Sequence, residues 1–179
     1  EYYKKSIAVD SSILPTYYWM GVSFETLGDH QQAIKWWNLH VQKSLEKEAT
    51  TKSTTYIREY YDMGAYLNNL ERFEEAEKTF RRFLTLDSND VYGWYGLGFS
   101  LYRQGKYDLA ISAMERSISL YPKFLEGLII IGAILRDQNR FSESEKYWLK
   151  VVELDSANVN PWNEIGLVKL KIFQYKEAA

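Results

Sequence analysis

Along Val91 to Arg103 apolar side chains recur at spacings of three and four, the period of a helix face. Trp94, Leu97, Gly98 and Leu101 make one stripe, and Tyr92, Tyr95, Phe99 and Tyr102 make a second, offset by one or two residues. The next stretch of this kind carries Leu128, Ile131, Gly132 and Leu135 beside Ile129, Ile130 and Ala133. Helices apolar nearly all round are predicted to be used on two sides. The polar punctuation predicts where they end. Asp87, Ser88, Asn89 and Asp90 form a cap-rich turn, Pro122 is a breaker between Tyr121 and Lys123, and Pro161 falls in a first helical turn, where its missing N–H costs nothing. Turns at Thr26 to Asp29, Arg103 to Lys106 and Asp137 to Arg140 place Gly or Asn where a left-handed helix end favours them.

The pattern repeats. Gly64, Gly98, Gly132 and Gly166 stand 34 residues apart, each preceded four places earlier by Tyr60, Trp94, Leu128 or Trp162 and one place earlier by Met63, Leu97, Ile131 or Ile165. Twelve places after each glycine comes a small residue, Ala76, Ala110, Ser144 or Ala178, followed four later by Phe80, Met114 and Trp148. Small residues at matched points let two antiparallel helices approach, and the bulky ones fill the space beside them. A further copy surrounds Gly21, with Tyr17, Met20, Phe24, Ala33 and Trp37, but Gly21 and Gly64 are 43 residues apart. The surplus lies in Lys47 to Thr55, predicted as extra helix to about Glu48 and then a polar loop; it reads either as a tolerated surface insertion or as a functional loop.

These frames divide the chain into the second helix of a truncated repeat (1–13), a repeat with the insertion (14–56), three repeats (57–90, 91–124 and 125–158) and a second truncated repeat (159–179). The last is predicted to hold a first helix, a turn at Phe173 and Gln174 and the opening of a second helix. Solenoid ends need polar caps, and neither end carries one, so more chain, a partner or self-association is expected to cover them.

Residues 91–124 resemble a tetratricopeptide repeat, with Trp94, Leu97, Gly98, Leu101, Tyr107, Ala110, Met114 and Pro122 on its signature places. The resemblance extends over essentially the whole chain. It departs where the usual later Ala is Phe83, Ser117 or Val151, and where the closing Pro is Ser88 or Ser156. The resemblance implies an all-α fold, a right-handed superhelical solenoid of antiparallel helix pairs, whose first helices line a concave groove along which protein partners lie.

On that reading the groove carries Tyr92, Tyr95, Phe99, Tyr102, Ile129 and Ile130, with Tyr18, Trp19 and Tyr61 at equivalent places upstream. Arg58, Arg103 and Arg136, together with Asp62, Asn68, Asn69, Asp137, Asn163, Glu164 and Lys171, could orient a bound peptide. Two readings stand: an aromatic groove gripping an apolar or amphipathic segment, or core and groove filled by the chain itself or another copy. The relatives that clamp a chaperone's terminal carboxylate use Lys, Asn and Arg where this chain has Tyr, Trp, Asp, Gly or Ile. The asparagines of the sugar-transferring relatives are replaced by Trp19, Asp62, Gly96, Ile130 and Glu164.

Composition narrows the function classes. A net charge of −2 leaves no basic surplus for nucleic acid. Cysteine is absent, removing disulfides and thiolate metal sites, and the eight-residue apolar run Leu128 to Leu135 is far short of the ~20 residues a membrane span needs. His30 and His40 lie in no metal or nucleophile pattern, and Glu74, Glu75, Glu143 and Glu145 sit at starts of second helices, where carboxylates complement the helix dipole. The expectation is therefore a scaffold or adaptor that binds another protein or peptide, with no cofactor, metal or catalysis. Self-assembly into a homo-oligomer through uncapped ends, or service as the recruiting region of an enzyme whose catalytic domain lies elsewhere, are the alternatives. The chain begins at Glu1, so its natural N-terminus is not seen; the compartment stays open, with the cytoplasm favoured.

Overall fold

A computed structural model describes residues 14–51 and 57–178, so the helix tail expected over 1–13 and the loop expected at 52–55 lie outside the described residues. Among the described residues the chain is helix and turn: α1 (Leu14–Thr26), α2 (His30–Thr51), α3 (Ile57–Asn69), α4 (Phe73–Leu86), α5 (Val91–Arg103), α6 (Tyr107–Leu120), α7 (Leu125–Asp137), α8 (Phe141–Leu154) and α9 (Asn160–Ala178). They fall into two compact units, residues 1–63 and 64–179. In the first, α1 packs on α2; in the second, α4 through α9 each pack on their neighbours in sequence, and α5 also touches α7. The helix of the inserted region runs to Thr51, about one turn beyond the end expected near Glu48.

The periodic glycines mark where helices nearly touch. A Cβ at Gly98 would stand 2.9 Å from the Met114 Cε, and one at Gly132 2.9 Å from the Trp148 ring. Gly64 has the same relation to Phe80, and Gly21 to Trp37. The residues facing these points, Ala33, Ala76, Ala110 and Ser144, are fully buried. Two further glycines of α5 answer to α4: a Cβ at Gly93 would fall 2.4 Å from Phe83, and one at Gly96 2.3 Å from Phe80. Three glycines in one 13-residue helix cost roughly 1 kcal/mol each in helix propensity against Ala. The two phenylalanine rings they admit explain why the sequence tolerates them.

The turns inside the helix pairs share one solution. Gly28, Glu71, Gly105 and Asn139 all take positive φ, between 59° and 76°. The N–H of the following residue donates to the carbonyl five places back, Asp29 to Phe24, Arg72 to Leu67, Lys106 to Leu101 and Arg140 to Leu135, at 2.8–2.9 Å. Glu71 is the one residue of the four that local turn chemistry did not point to. The cap predicted before α5 forms: Asp90 accepts from the Gly93 N–H at 2.6 Å.

The turn expected at Phe173 and Gln174 does not form, and α9 runs straight through both residues. Its φ-positive place, 34 residues after Asn139, is Phe173, and a bulky aromatic side chain disfavours the left-handed region that Gly and Asn enter readily. Trp162, expected on the packing stripe, is half exposed for a related reason: no helix lies over that side of α9, and a Cβ at Gly166 would meet nothing within 4 Å. The other side of α9 is core, where Ile165 and Val168 join Leu128, Phe141, Trp148, Val151 and Val152.

These contacts separate two glycines of identical register. Gly96→Ala drives a methyl group into Phe80 and is expected to lower unfolding free energy by about 1–3 kcal/mol, while Gly166→Ala is expected to be neutral or stabilising by up to about 1 kcal/mol. Urea denaturation of the two variants checks the contrast.

Candidate functional site

The second stripe of α5 is built around one buried ring. Phe124, just before α7, is 3% exposed, and the rings of Tyr92 and Tyr95 meet it edge-on at 5.6 Å and 5.3 Å. Tyr92 is 57% exposed above it. Tyr95 continues to Phe99 at 6.4 Å, and both lean with Ile130 against the buried cluster of Met114, Ile131 and Leu135. Ile129 packs against the Leu128 and Trp148 cluster. So of the six residues on which the sequence centres the groove, Tyr92 alone is fully at the surface, and the other five divide their area between surface and packing.

Polar side chains lace the same helices together. The Tyr102 hydroxyl donates to Asp137 at 3.2 Å; Arg136 donates to Asp137 at 3.0 and 3.1 Å and to Glu164 at 2.5 Å. One chain of charge and hydrogen bonding thereby links α5, α7 and α9. Burial alone would lower the Arg136 guanidinium, but its bonds to Glu164 and Asp137 outweigh this and hold it raised. Arg103 pairs with Glu71 at 3.2 Å and lies 4.5 Å over the Phe73 ring and 5.8 Å from that of Phe99. The Asn68 amide donates to the Gly96 carbonyl at 3.3 Å, and its oxygen is 2.8 Å from the Ser100 hydroxyl. Asn68 and Arg136 are thus engaged in joining helices.

In the first unit Tyr18 donates to Asp62 at 3.3 Å, Arg58 donates to the same carboxylate at 3.0 Å and lies 5.2 Å over the Tyr61 ring, and Trp19 is half exposed beside Tyr18. The Tyr–Asp–Arg grouping of the second unit is therefore present here with different spacing. His30 opens α2 within 2.9 Å of Glu25, and His40 is buried with its ring tilted against that of Tyr18. Phe124 and Phe73, which support the exposed aromatics, were not among the candidates; Phe73 shares its frame with Tyr107 and Phe141, 34 and 68 residues on, which was the available signal.

Residues 58–90 and 91–124 each match a family model described as tetratricopeptide repeat. The chain belongs to the tetratricopeptide-repeat family. Among curated proteins it is similar to anaphase-promoting complex subunit 6 of Dictyostelium discoideum, 25% identical over 119 residues that cover 66% of this chain and 14% of that protein. The chain therefore spans a small part of such a relative. Among solved structures it resembles MamA, with a TM-score of 0.76, 18% identity and coverage of 92% of this chain and 85% of the other. It also resembles the first repeat domain of Spaghetti bound to the HSP90 peptide SRMEEVD, with a TM-score of 0.63, 16% identity and coverage of 67% and 95%. At these identities the likeness is one of fold, and it is the expected all-α solenoid of helix pairs.

The departures from the repeat signature are accommodated locally. Phe83 replaces an Ala and is met by Gly93. Ser117 donates to the Val91 carbonyl at 3.0 Å, and the buried Ser144 donates to that of Gly132 at 2.8 Å, so neither hydroxyl is left without a partner.

Partial burial and the Asp137 carboxylate push the Tyr102 phenol above its usual range, and burial with Glu115 and Glu143 does the same to Tyr147. The folded chain then keeps these protons to higher pH than the unfolded chain. Stability is fully present below about pH 10 and falls as pH rises through the raised values. Thermal unfolding midpoints followed into the alkaline range are expected to fall less steeply for Tyr102→Phe than for the parent; identical slopes would contradict the assignment.

Proposed function

We propose that this tetratricopeptide-repeat chain is a non-catalytic protein-interaction scaffold that binds an apolar or amphipathic segment of another protein across α5 and α7. The observation that carries this reading is Tyr92, half exposed yet fixed edge-on against buried Phe124. An aromatic ring already held in one orientation loses little conformational entropy when a ligand covers it, and such rings dominate interface energetics. Tyr95, Phe99 and Tyr102 extend the surface along α5, and Ile129 and Ile130 offer an aliphatic floor on α7. Tyr18, Trp19, Tyr61 and Arg58 form a face of like chemistry in the first unit.

The charged groups bear on what kind of segment would fit. Arg103 is occupied by Glu71, and Arg136 by Asp137 and Glu164. A ligand carboxylate would have to displace a carboxylate already in place and gain only the difference. That favours a segment read through apolar side chains over one read through its C-terminal carboxylate. The peptide-bound Spaghetti domain supports peptide binding as a use of this fold; the ligand proposed here differs in kind.

Selection from a random-peptide display library tests the reading. Enriched peptides are expected to carry apolar or aromatic residues three and four apart and to bind equally well with an amidated C-terminus. Tyr92→Ala is expected to weaken them by about tenfold, some 1.4 kcal/mol, with helicity unchanged. Full binding by Tyr92→Glu, or dependence on a free terminal carboxylate, would refute it.

A further inference from the structure

A second apolar surface lies on α9, away from the groove residues of α5 and α7. Val159, Trp162, Leu170 and Phe173 are 66, 51, 52 and 58% exposed, and Gly166 lies open among them. At 100° per residue they occupy a strip about 80° wide on one side of the helix. In α5 and α7 the equivalent glycines are covered by Met114 and Trp148. This face thus has the form that elsewhere in the chain receives a bulky side chain, and α9 stays straight through Phe173, so the strip is continuous.

The strip has a further property. Counted from Gly166, its members fall at −7, −4, 0, +4 and +7, a pattern unchanged when the helix direction is reversed. A surface that must match itself under a two-fold rotation requires this, and one that receives a foreign helix does not. We propose that α9 pairs antiparallel with α9 of a second copy of this chain, about a two-fold axis at Gly166. Trp162 of each copy then lies over Leu170 of the other and Val159 over Phe173. The two Gly166 backbones meet at the axis, where any larger residue would hold them apart. The flanks match too: Asn163 at −3 faces Lys169 at +3, an amide oxygen opposite an ammonium donor. From Val159 to Phe173 the strip is about 21 Å long. One helix face of that length buries less than the ~800 Å² per partner of a standard interface, so the dimer is weak and depends on concentration.

Sedimentation equilibrium of the 179-residue chain from low micromolar to near-millimolar concentration tests this. A reversible monomer–dimer shift is expected. Gly166→Glu, whose side chain enters open space and spares the fold, should remain monomeric with unchanged circular dichroism. Because the chain has no cysteine, Gly166→Cys adds a unique thiol at the axis, which should cross-link rapidly under mild oxidation. A Ser112→Cys control, on an exposed face of α6, should not. A parent chain that stays monomeric throughout, a Gly166→Glu variant that dimerises like the parent, or equal cross-linking of the two cysteine variants would overturn the proposal.

Discussion

Everything in this fold depends on one close approach, a glycine of a first helix facing the bulky side chain of the second. Gly21 with Trp37, Gly64 with Phe80, Gly98 with Met114 and Gly132 with Trp148 are four versions of it. The partner grows from Met to Trp while the glycine stays, so the backbone separation is conserved and the filling is not. With that separation set, the buried Ala or Ser twelve places later and the aliphatic residue before the glycine fall into place as core. The groove stripe of α5 is on the surface because the opposite stripe is consumed by this contact.

The same contact explains why so much was legible beforehand. A constraint that recurs every 34 residues leaves four independent traces, so helix pairs, turns and core positions could be read from register alone. Events that happen once were harder. The end of α2 at Thr51 has no counterpart elsewhere, and α9 continues through Phe173 because a turn is decided by one residue's φ and not by the period. At Glu71 the reverse occurs: a non-glycine residue takes the left-handed turn that the pattern demands.

The candidate surface was legible as a stripe but not as a set of contacts. Side-chain spacing places Tyr92, Tyr95, Phe99 and Tyr102 together, yet it cannot tell that Phe124 would support two of them, or that Ile130 would join the Met114 cluster. Nor does it reveal that Arg136 is committed to Asp137 and Glu164. Those outcomes depend on three-dimensional neighbours one repeat away. They alter the chemistry of the face, turning what could have been a cationic groove into one whose charges are internally balanced.

In the second unit, helices pack on their neighbours in sequence and hardly beyond. Such a structure behaves as a one-dimensional chain of coupled links. Each helix feels a perturbation through the next, and its influence fades over a few links, so there is no single central core whose loss dissolves everything at once. Contacts so local close short loops and form quickly. Opening can begin at any link and spread only as far as neighbouring links are weak, and a partner gripping α5 and α7 would stiffen the links beside it more than those at a distance.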